Sequence, residues 1–428
     1  MRKILIVGAG QAGLQLALGL QAHGYDVTVM SNRTPDEIRG GHVTSTQCMF
    51  GTALQHERDL GLNFWEAQAP DIEGLGITVG VPGDVRDAGG TAASDGGAAP
   101  YARPIDWLGR LRRTAQSVDQ RVKMAGWLET FAERGGKVVV HGASVSDLDY
   151  FSQAYDLVLV AAGRGDVVSL FPRDVARSPF RTPQRALAVS YVDGLGPRPE
   201  HPDVPAVRCN LVPGVGELMV IPALTTTGPC DILFWEAVPD GPLDVFEDVK
   251  DPARILALTL DAMRRFTPWE YERATGVELT DAGATLTGRF TPTVRRPVAQ
   301  LPSGGLVLGV ADVVVANDPV TGQGSNSAAK CAAVYLASVL EHGERPFDEA
   351  WMQGAFDAFW SLAEPATTWT NTVLVPPEDH VRALLEAGGT HPAVADRIAN
   401  GFDDPADFAG WFYDPAQADA YLKASAQA

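Results

Sequence analysis

Apolar residues fall in short unbroken runs near the two ends of the chain and in alternating runs through its middle. Ile4 to Val7 is a short apolar run of the kind that forms a parallel strand buried on both faces. Leu14, Leu16, Leu18 and Leu20 predict a mostly apolar helix ending near Gly24, and residues 26–30 (DVTVM) read as the next strand. The spacing is that of a β-α-β unit at the start of the chain. A helical pattern runs over about 114–134 and stops at Gly135-Gly136. Residues 137–141 and 155–162 predict strands returning to the first sheet, the second closed by a turn at Gly163-Arg164-Gly165. From 185 to about 236, alternating runs at 186–191, 216–221 and 231–235 predict an antiparallel sheet, a second layer covering a substrate. Residues 253–266 read as a helix, 305–310 as a buried strand of the first sheet, 325–342 as a long helix, and 347 onward as a helical region rich in Trp and Phe. The Gly-, Ala- and Asp-rich stretch 82–100 predicts an exposed, mobile loop.

Two glycine-rich segments carry the chemistry. In Gly8-Ala9-Gly10-Gln11-Ala12-Gly13, the first glycine permits the turn out of the strand and the second lets the backbone approach a phosphate. The third lets the helix pack closely on the sheet, and the helix N-terminus offers free N–H groups and positive dipole to a pyrophosphate. The acidic residue that commonly ends the second strand and holds the adenosine ribose is absent. Ser31-Asn32-Arg33 stands there, a weaker set of partners that predicts a loosely held cofactor. In the second segment, the strand at 305–310 delivers Asp312 at its C-terminal end, where a carboxylate can bind a ribityl hydroxyl. The loop Asp318-Pro319-Val320-Thr321-Gly322-Gln323-Gly324 then opens a helix. Its glycines let the backbone pass close to a flat ring, and its dipole matches the negative charge of a reduced flavin. The two segments together predict one FAD lying along the protein.

The expected fold class is α/β. A Rossmann-like, three-layer FAD-binding domain assembled from residues 1–170 and 285–345 is interrupted by an antiparallel β-sheet substrate domain at 171–284 and followed by a helical C-terminal region at 346–428. A net charge of −19 and a pI near 4.8 argue against nucleic acid and anionic membranes as partners. No apolar stretch reaches transmembrane length, so a soluble cytoplasmic protein is expected. The four scattered cysteines and eight histidines form no metal-binding spacing, and no metal is expected.

With these residues in view, the chain resembles the FAD-dependent styrene and indole monooxygenases, the oxygenase components of two-component systems. The resemblance rests on Arg33-Thr34-Pro35-Asp36-Glu37, Tyr155-Asp156-Leu157, Ser178-Pro179-Phe180, Pro183-Gln184-Arg185-Ala186-Leu187, Gly216-Glu217-Leu218, Ile221-Pro222, the loop from Asp318 to Asn326, and Trp369-Thr370-Asn371. Ser45-Thr46-Gln47-Cys48-Met49 is similar to the S-x-Q-x-M of the indole branch, where styrene epoxidases read like N-x-V-x-H. Ile77 and Ala115 stand at further discriminating positions and suit the indole type. His42 stands near a place where the family leads one to expect arginine.

The resemblance implies an enzyme that takes reduced FAD from a separate NADH:flavin reductase. Through a C4a-hydroperoxyflavin it would epoxidise the C2–C3 bond of indole, giving indoxyl and then indigo, or a styrene-like alkene. Ser45, Gln47 and Met49 would position the substrate, with no protein acid or base, and a homodimer is compatible with this reading. If residues 45–49 are extended, 45, 47 and 49 share one face carrying a hydroxyl, an amide and a thioether, a neutral wall that suits an indole N–H. Ala162 stands where single-component aromatic hydroxylases carry an aspartate, and no second nucleotide motif is evident. Two other readings remain at this point: a single-component NAD(P)H-dependent aromatic hydroxylase, and a non-catalytic flavin-binding protein.

Overall fold

A computed structural model describes residues 2–82, 101–163 and 165–426. The predicted loop at 82–100 therefore lies, from residue 83, outside the described residues, as does Arg164 of the predicted turn. The chain divides into two compact units that interleave in sequence. The first comprises residues 1–67, 118–183 and 290–371, the second 68–117, 184–289 and 372–428.

The first unit is built on a six-stranded sheet in the order Val298–Gln300, Leu306–Gly309, Leu157–Val160, Lys3–Val7, Asp26–Ser31, Lys137–Val140. All neighbours are parallel except the edge strand Val298–Gln300. Every residue from Ile4 to Val7 and from Leu157 to Val160 is buried, as their unbroken apolar runs require. The chain leaves Lys3–Val7 through helix Gln11–Ala22 to the strand on one side and later returns to Leu157–Val160 on the other. Strand order therefore reverses at the C-terminal end of Lys3–Val7, the place where open α/β sheets bind ligands. The long helix Gly324–His342 packs on helix Gln11–Ala22.

The second unit holds an eight-stranded sheet. Its path runs Glu278–Leu279, Ala186–Asp193, Gly228–Ala237, Gly216–Thr225, Ala206–Val212, Ile72–Pro82, Tyr101–Ala115, with Thr285–Arg289 also pairing with Ala186–Asp193. Only Ile72–Pro82 and Ala206–Val212 run parallel. The sheet thus takes in two strands from the stretch read as part of the dinucleotide domain. The predicted helix over 114–134 begins only at Gln120, because Ala115 still pairs with Ile72 and Asp119 caps the helix by accepting from the Arg121 N–H. The C-terminal helices beyond Asn371 also group with this unit. Its core packs one sheet face against helix Pro252–Phe266, with Trp235, Leu218, Val220, Ile255 and Met263 at the contact.

Asp231 lies in the strand Gly228–Ala237, between Pro222 and Val192 on the neighbouring strands. Burial pushes its carboxyl up to about 6; Arg273 opposes the shift, and Glu270 and Asp193 add to it. A carboxyl raised in the folded state favours folding below its unfolded pKa, near 3.8, and loses that contribution as pH rises through about 6. Asp231→Asn is therefore expected to raise Tm at pH 8 and to leave it nearly unchanged at pH 4. Thermal melts of both proteins across this range check the sign.

Candidate functional site

The three N-terminal glycines have separate steric roles. Gly8 has φ +119°, and a Cβ there would stand 2.7 Å from the Ala161 carbonyl carbon of the adjacent strand. A Cβ on Gly13 would stand 2.1 Å from the Gly8 oxygen, so helix and turn close on each other only without a side chain. A Cβ on Gly10 meets nothing within 4 Å, so the glycine faces open space. Gly10 is also the N-cap of helix Gln11–Ala22, and no side chain caps that end. The first-turn N–H groups, of Gln11 and Ala12 among others, are left for an anion. The geometry fits a pyrophosphate.

Ser31 ends its strand buried, and its hydroxyl donates to the Arg33 carbonyl at 2.7 Å while accepting from the Arg33 N–H. The side chain expected at the ribose is engaged in its own turn. Asn32 is exposed and Arg33 half-buried at the same strand end.

The second segment forms as predicted. Leu306–Gly309 ends beside Leu157–Val160, and Ala311 takes φ +51°, an unusual conformation held by its N–H donating to the buried Cys331 sulfur at 3.3 Å. Asp312 is exposed at this strand end, and its Cβ would lie 3.3 Å from a Cβ built on Gly163. Arg295 feels the Asp312 carboxylate, but burial and Arg173 hold its pKa below the ordinary value. In the loop, Asp318 accepts from the Val320 N–H, and Pro319–Thr321 makes one tight turn. Gly322 is left-handed at φ +63°. The Thr321 and Thr370 hydroxyls meet at 2.6 Å, and Gln323 donates to the Thr321 carbonyl. Cβ atoms on Gly322 or Gly324 would meet nothing within 4 Å, and no side chain caps helix Gly324–His342. Asn317 Nδ2 and Ser325 Oγ are buried beside this loop without partners among the described residues. Open backbone, an uncapped helix end and unmet polar atoms fit a flat polar ring system.

Residues 42–48 are irregular rather than a strand, and Gln47, Cys48 and Met49 are all buried, so burial does not alternate as it would on a half-covered strand. Asn326 fixes the segment to the loop: its Nδ2 donates to the Cys48 and Gly322 carbonyls, and its Oδ1 accepts from the Phe50 N–H at 2.9 Å. Gln47 is 3 % exposed, and neither amide atom has a partner among the described residues. Met49 packs against Ala53, Leu54 and Ala329, with its sulfur 3.1 Å from Lys123 Nζ. Ile77 and Ala115 belong to the second unit, on paired strands, opposite Trp107 and Ile72 respectively. Five ladder positions separate them, roughly 16 Å along the strands.

A buried polar chain was missed in the sequence. Lys123 Nζ donates to Glu57 Oε1 at 2.5 Å, Gln11 Nε2 donates to the same oxygen at 3.0 Å and to Gln15 Oε1, and Gln15 Nε2 donates to the Ala329 carbonyl. Lys123 also stands 5.2 Å from the centre of the Trp127 ring. The chain ties Met49 to the first turn of the dinucleotide helix across helices Gly51–Asp59 and Gln120–Glu133. Its signal was one charge of each sign set on an apolar helical stripe: Glu57 follows Ala53 and Leu54, and Lys123 precedes Trp127. Among the described residues no cluster suits a metal ion.

Residues 163–273 match the family model described as the styrene monooxygenase A putative substrate binding domain. The chain is 31 % identical over 417 residues to the styrene monooxygenase StyA of Pseudomonas fluorescens, covering 94 % of this chain and 93 % of that one. It is 30 % identical over the same length to the StyA of a Pseudomonas sp.. Among solved structures it is similar to the flavin-dependent brominase Bmp2 (TM-score 0.66, 13 % identity, covering 100 % of this chain and 99 % of that one). It is also similar to the p-nitrophenol 4-monooxygenase PnpA of Pseudomonas putida (TM-score 0.59, 13 % identity, covering 95 % and 99 %). At such identities these two likenesses show the fold alone. The sequence relationship, over nearly the whole length, shows more: the chain belongs to the styrene monooxygenase family and is a flavin-dependent monooxygenase.

Proposed function

We propose that this chain is the oxygenase component of a two-component system. It takes reduced FAD from a separate NADH:flavin reductase and epoxidises the C2–C3 bond of indole or a closely related alkene. The observation that carries the substrate reading is Gln47, whose amide is buried with both ends unmet in a segment that Asn326 pins to the flavin-type loop. A buried amide without partners is costly, and an indole N–H donating to its Oε1 satisfies one half of it. Ala162 in place of an aspartate, with no second nucleotide motif, supports delivery of the flavin already reduced.

Reduced FAD, when bound, supplies the activation of O2 for oxygen transfer. The rest falls to the protein. The N–H groups after Gly10 bind the pyrophosphate, Asn32 and Arg33 take the adenosine ribose, and Asp312 takes a ribityl hydroxyl. The backbone of Pro319 to Gly324 and the dipole of the following helix stabilise the charge on the reduced ring. Ser45, Gln47 and Met49 orient the substrate; Ile77 and Ala115 are assigned to substrate binding on the family resemblance alone. No protein acid or base is assigned: Lys123 and Glu57, the charged pair nearest Met49, are bound to each other.

Gly10→Val is expected to fold normally, because its side chain enters open space, and to lose FAD, because that space is the pyrophosphate's. Circular dichroism and an FAD titration read the two halves; retained FAD affinity places the cofactor elsewhere.

Asp312→Ala is expected to weaken oxidised and reduced FAD alike, each by about 1–3 kcal/mol, since a ribityl contact does not sense ring charge. Titration of both redox forms tests this, and a strongly unequal loss removes Asp312 from the ribityl chain.

Ser45→Asn, Gln47→Val and Met49→His together are expected to move preference from indole toward styrene, with Gln47→Val alone giving most of the change. Loss of the N–H acceptor at about 1–3 kcal/mol corresponds to a shift of roughly 5- to 150-fold in the indole/styrene ratio of kcat/KM. The ratio is measured with reductase in excess; an unchanged ratio with both activities intact removes the segment from substrate choice.

A further inference from the structure

The second unit contains a guanidinium that no carboxylate among the described residues pairs with. Arg208 lies in the strand Ala206–Val212 and is 5 % exposed, yet its guanidinium makes no hydrogen bond or ion pair with any described residue. Nearby carboxylates are taken by other arginines. Arg198 donates to Glu270, Glu200 and Asp106. Arg273 holds the second oxygen of Glu270, and Arg103 bridges Asp106 and Glu200. Arg208, the fourth arginine of this layer, has Glu270 and Asp106 near it, both already engaged. Its neighbours Arg198 and Arg273 repel it, Glu270 and Asp106 attract it at a distance, and burial with this imbalance brings its pKa down to about 10.

The sheet makes room for this group. Arg208 pairs across the ladder with Gly76, and a Cβ there would stand 2.8 Å from Nη1 and 3.2 Å from Cδ. A side chain at position 76 would press on the guanidinium where it lies over the neighbouring strand. In the other direction its ladder partner is Val220, which offers no side-chain acceptor. Ile77 pairs with Cys209, so Arg208 points to the sheet face opposite Ile77. On Arg208's own face, two positions along the strand, Asn210 Oδ1 is already held by Trp269 Nε1 at 2.7 Å.

A buried unpaired cation is among the costliest arrangements in a folded protein. We infer that Arg208 and Gly76 form a binding site for a small carboxylate monoanion, on the sheet face away from Ile77. A planar carboxylate meets the guanidinium fork through two parallel N–H···O bonds, and a single negative charge balances the one uncompensated arginine. The nearby Asp106 and Glu270 disfavour a phosphate dianion.

The test uses the full-length protein with acetate as the probe, compared with chloride and phosphate at equal ionic strength. Acetate is expected to raise Tm saturably, by about 1–2 °C at tenfold excess over Kd, and to give a one-site isotherm by calorimetry. Arg208→Met keeps the apolar stem and removes the charge. It is expected to abolish the acetate response and, in acetate-free buffer, to melt no lower than the parent protein, because an unmet buried charge has gone. Arg208→Gln serves as a second variant should the first not fold. The inference is overturned if acetate has no effect beyond chloride, if phosphate outperforms acetate, or if the response persists without the arginine.

Discussion

A single close approach of backbone to backbone sets the rest of the first unit. Helix Gln11–Ala22 rises from its strand so tightly that a β-carbon at Gly13 would overlap the Gly8 oxygen. That contact leaves the helix N-terminus uncapped and aimed past Gly10 at the point where strand order reverses. Gly8 closes the same turn against Ala161 on the neighbouring strand, which leads on to Gly163 and its approach to Asp312. The pyrophosphate end and the ribityl end of the proposed cofactor track are thus positioned by glycines that touch other backbone.

Two polar connections carry this geometry to the segment proposed to meet the substrate. Asn326 binds Gly322, Cys48 and Phe50 with one amide, so the loop that opens the long helix and the residues around Gln47 are fixed together. Lys123, Glu57 and Gln11 run from Met49 to the first turn of the dinucleotide helix. Removing one partner of such a buried pair costs several kcal/mol, typically about 3–5, because the other charge is left unmet. Rigidity of this kind suits a site that orients a flat alkene with few polar contacts of its own.

Much of this was legible in the sequence, for definite reasons. The strand at Ile4, the glycine spacing and the helix ending near Gly24 are local and governed by short-range sterics, and they form as expected. So did the strand leading to Asp312 and the turn at Gly322. The resemblance to the styrene and indole monooxygenases rests on the loop from Asp318 to Asn326 and on short segments elsewhere, among them 33–37, 178–180 and 369–371. Long-range pairing was less visible. Ile72–Pro82 and Tyr101–Ala115 joined the second sheet because their partners lie far away in sequence, at Ala206–Val212. The Ser31 hydroxyl was read as a ribose contact, but its own turn takes it up. Gln47 and Met49 were assigned to one face of an extended segment; the structure buries both, with Met49 packed against Lys123 and Gln47 left unmet. The Glu57–Lys123 pair and the isolation of Arg208 depend on which side chains reach each other, which spacing alone does not state.

The central claim is that this chain oxygenates an indole-type alkene with flavin that arrives already reduced. Its most direct measurement is a single turnover: FAD is photoreduced anaerobically with EDTA as electron donor, mixed with the apoprotein, and then exposed to oxygen and indole with no NADH, NADPH or reductase present. Oxygenated indole approaching one equivalent per bound flavin, with one atom from labelled O2, is the result expected. Flavin reoxidation without oxygenated product, restored only when NADH or NADPH is added to the same protein, would contradict it.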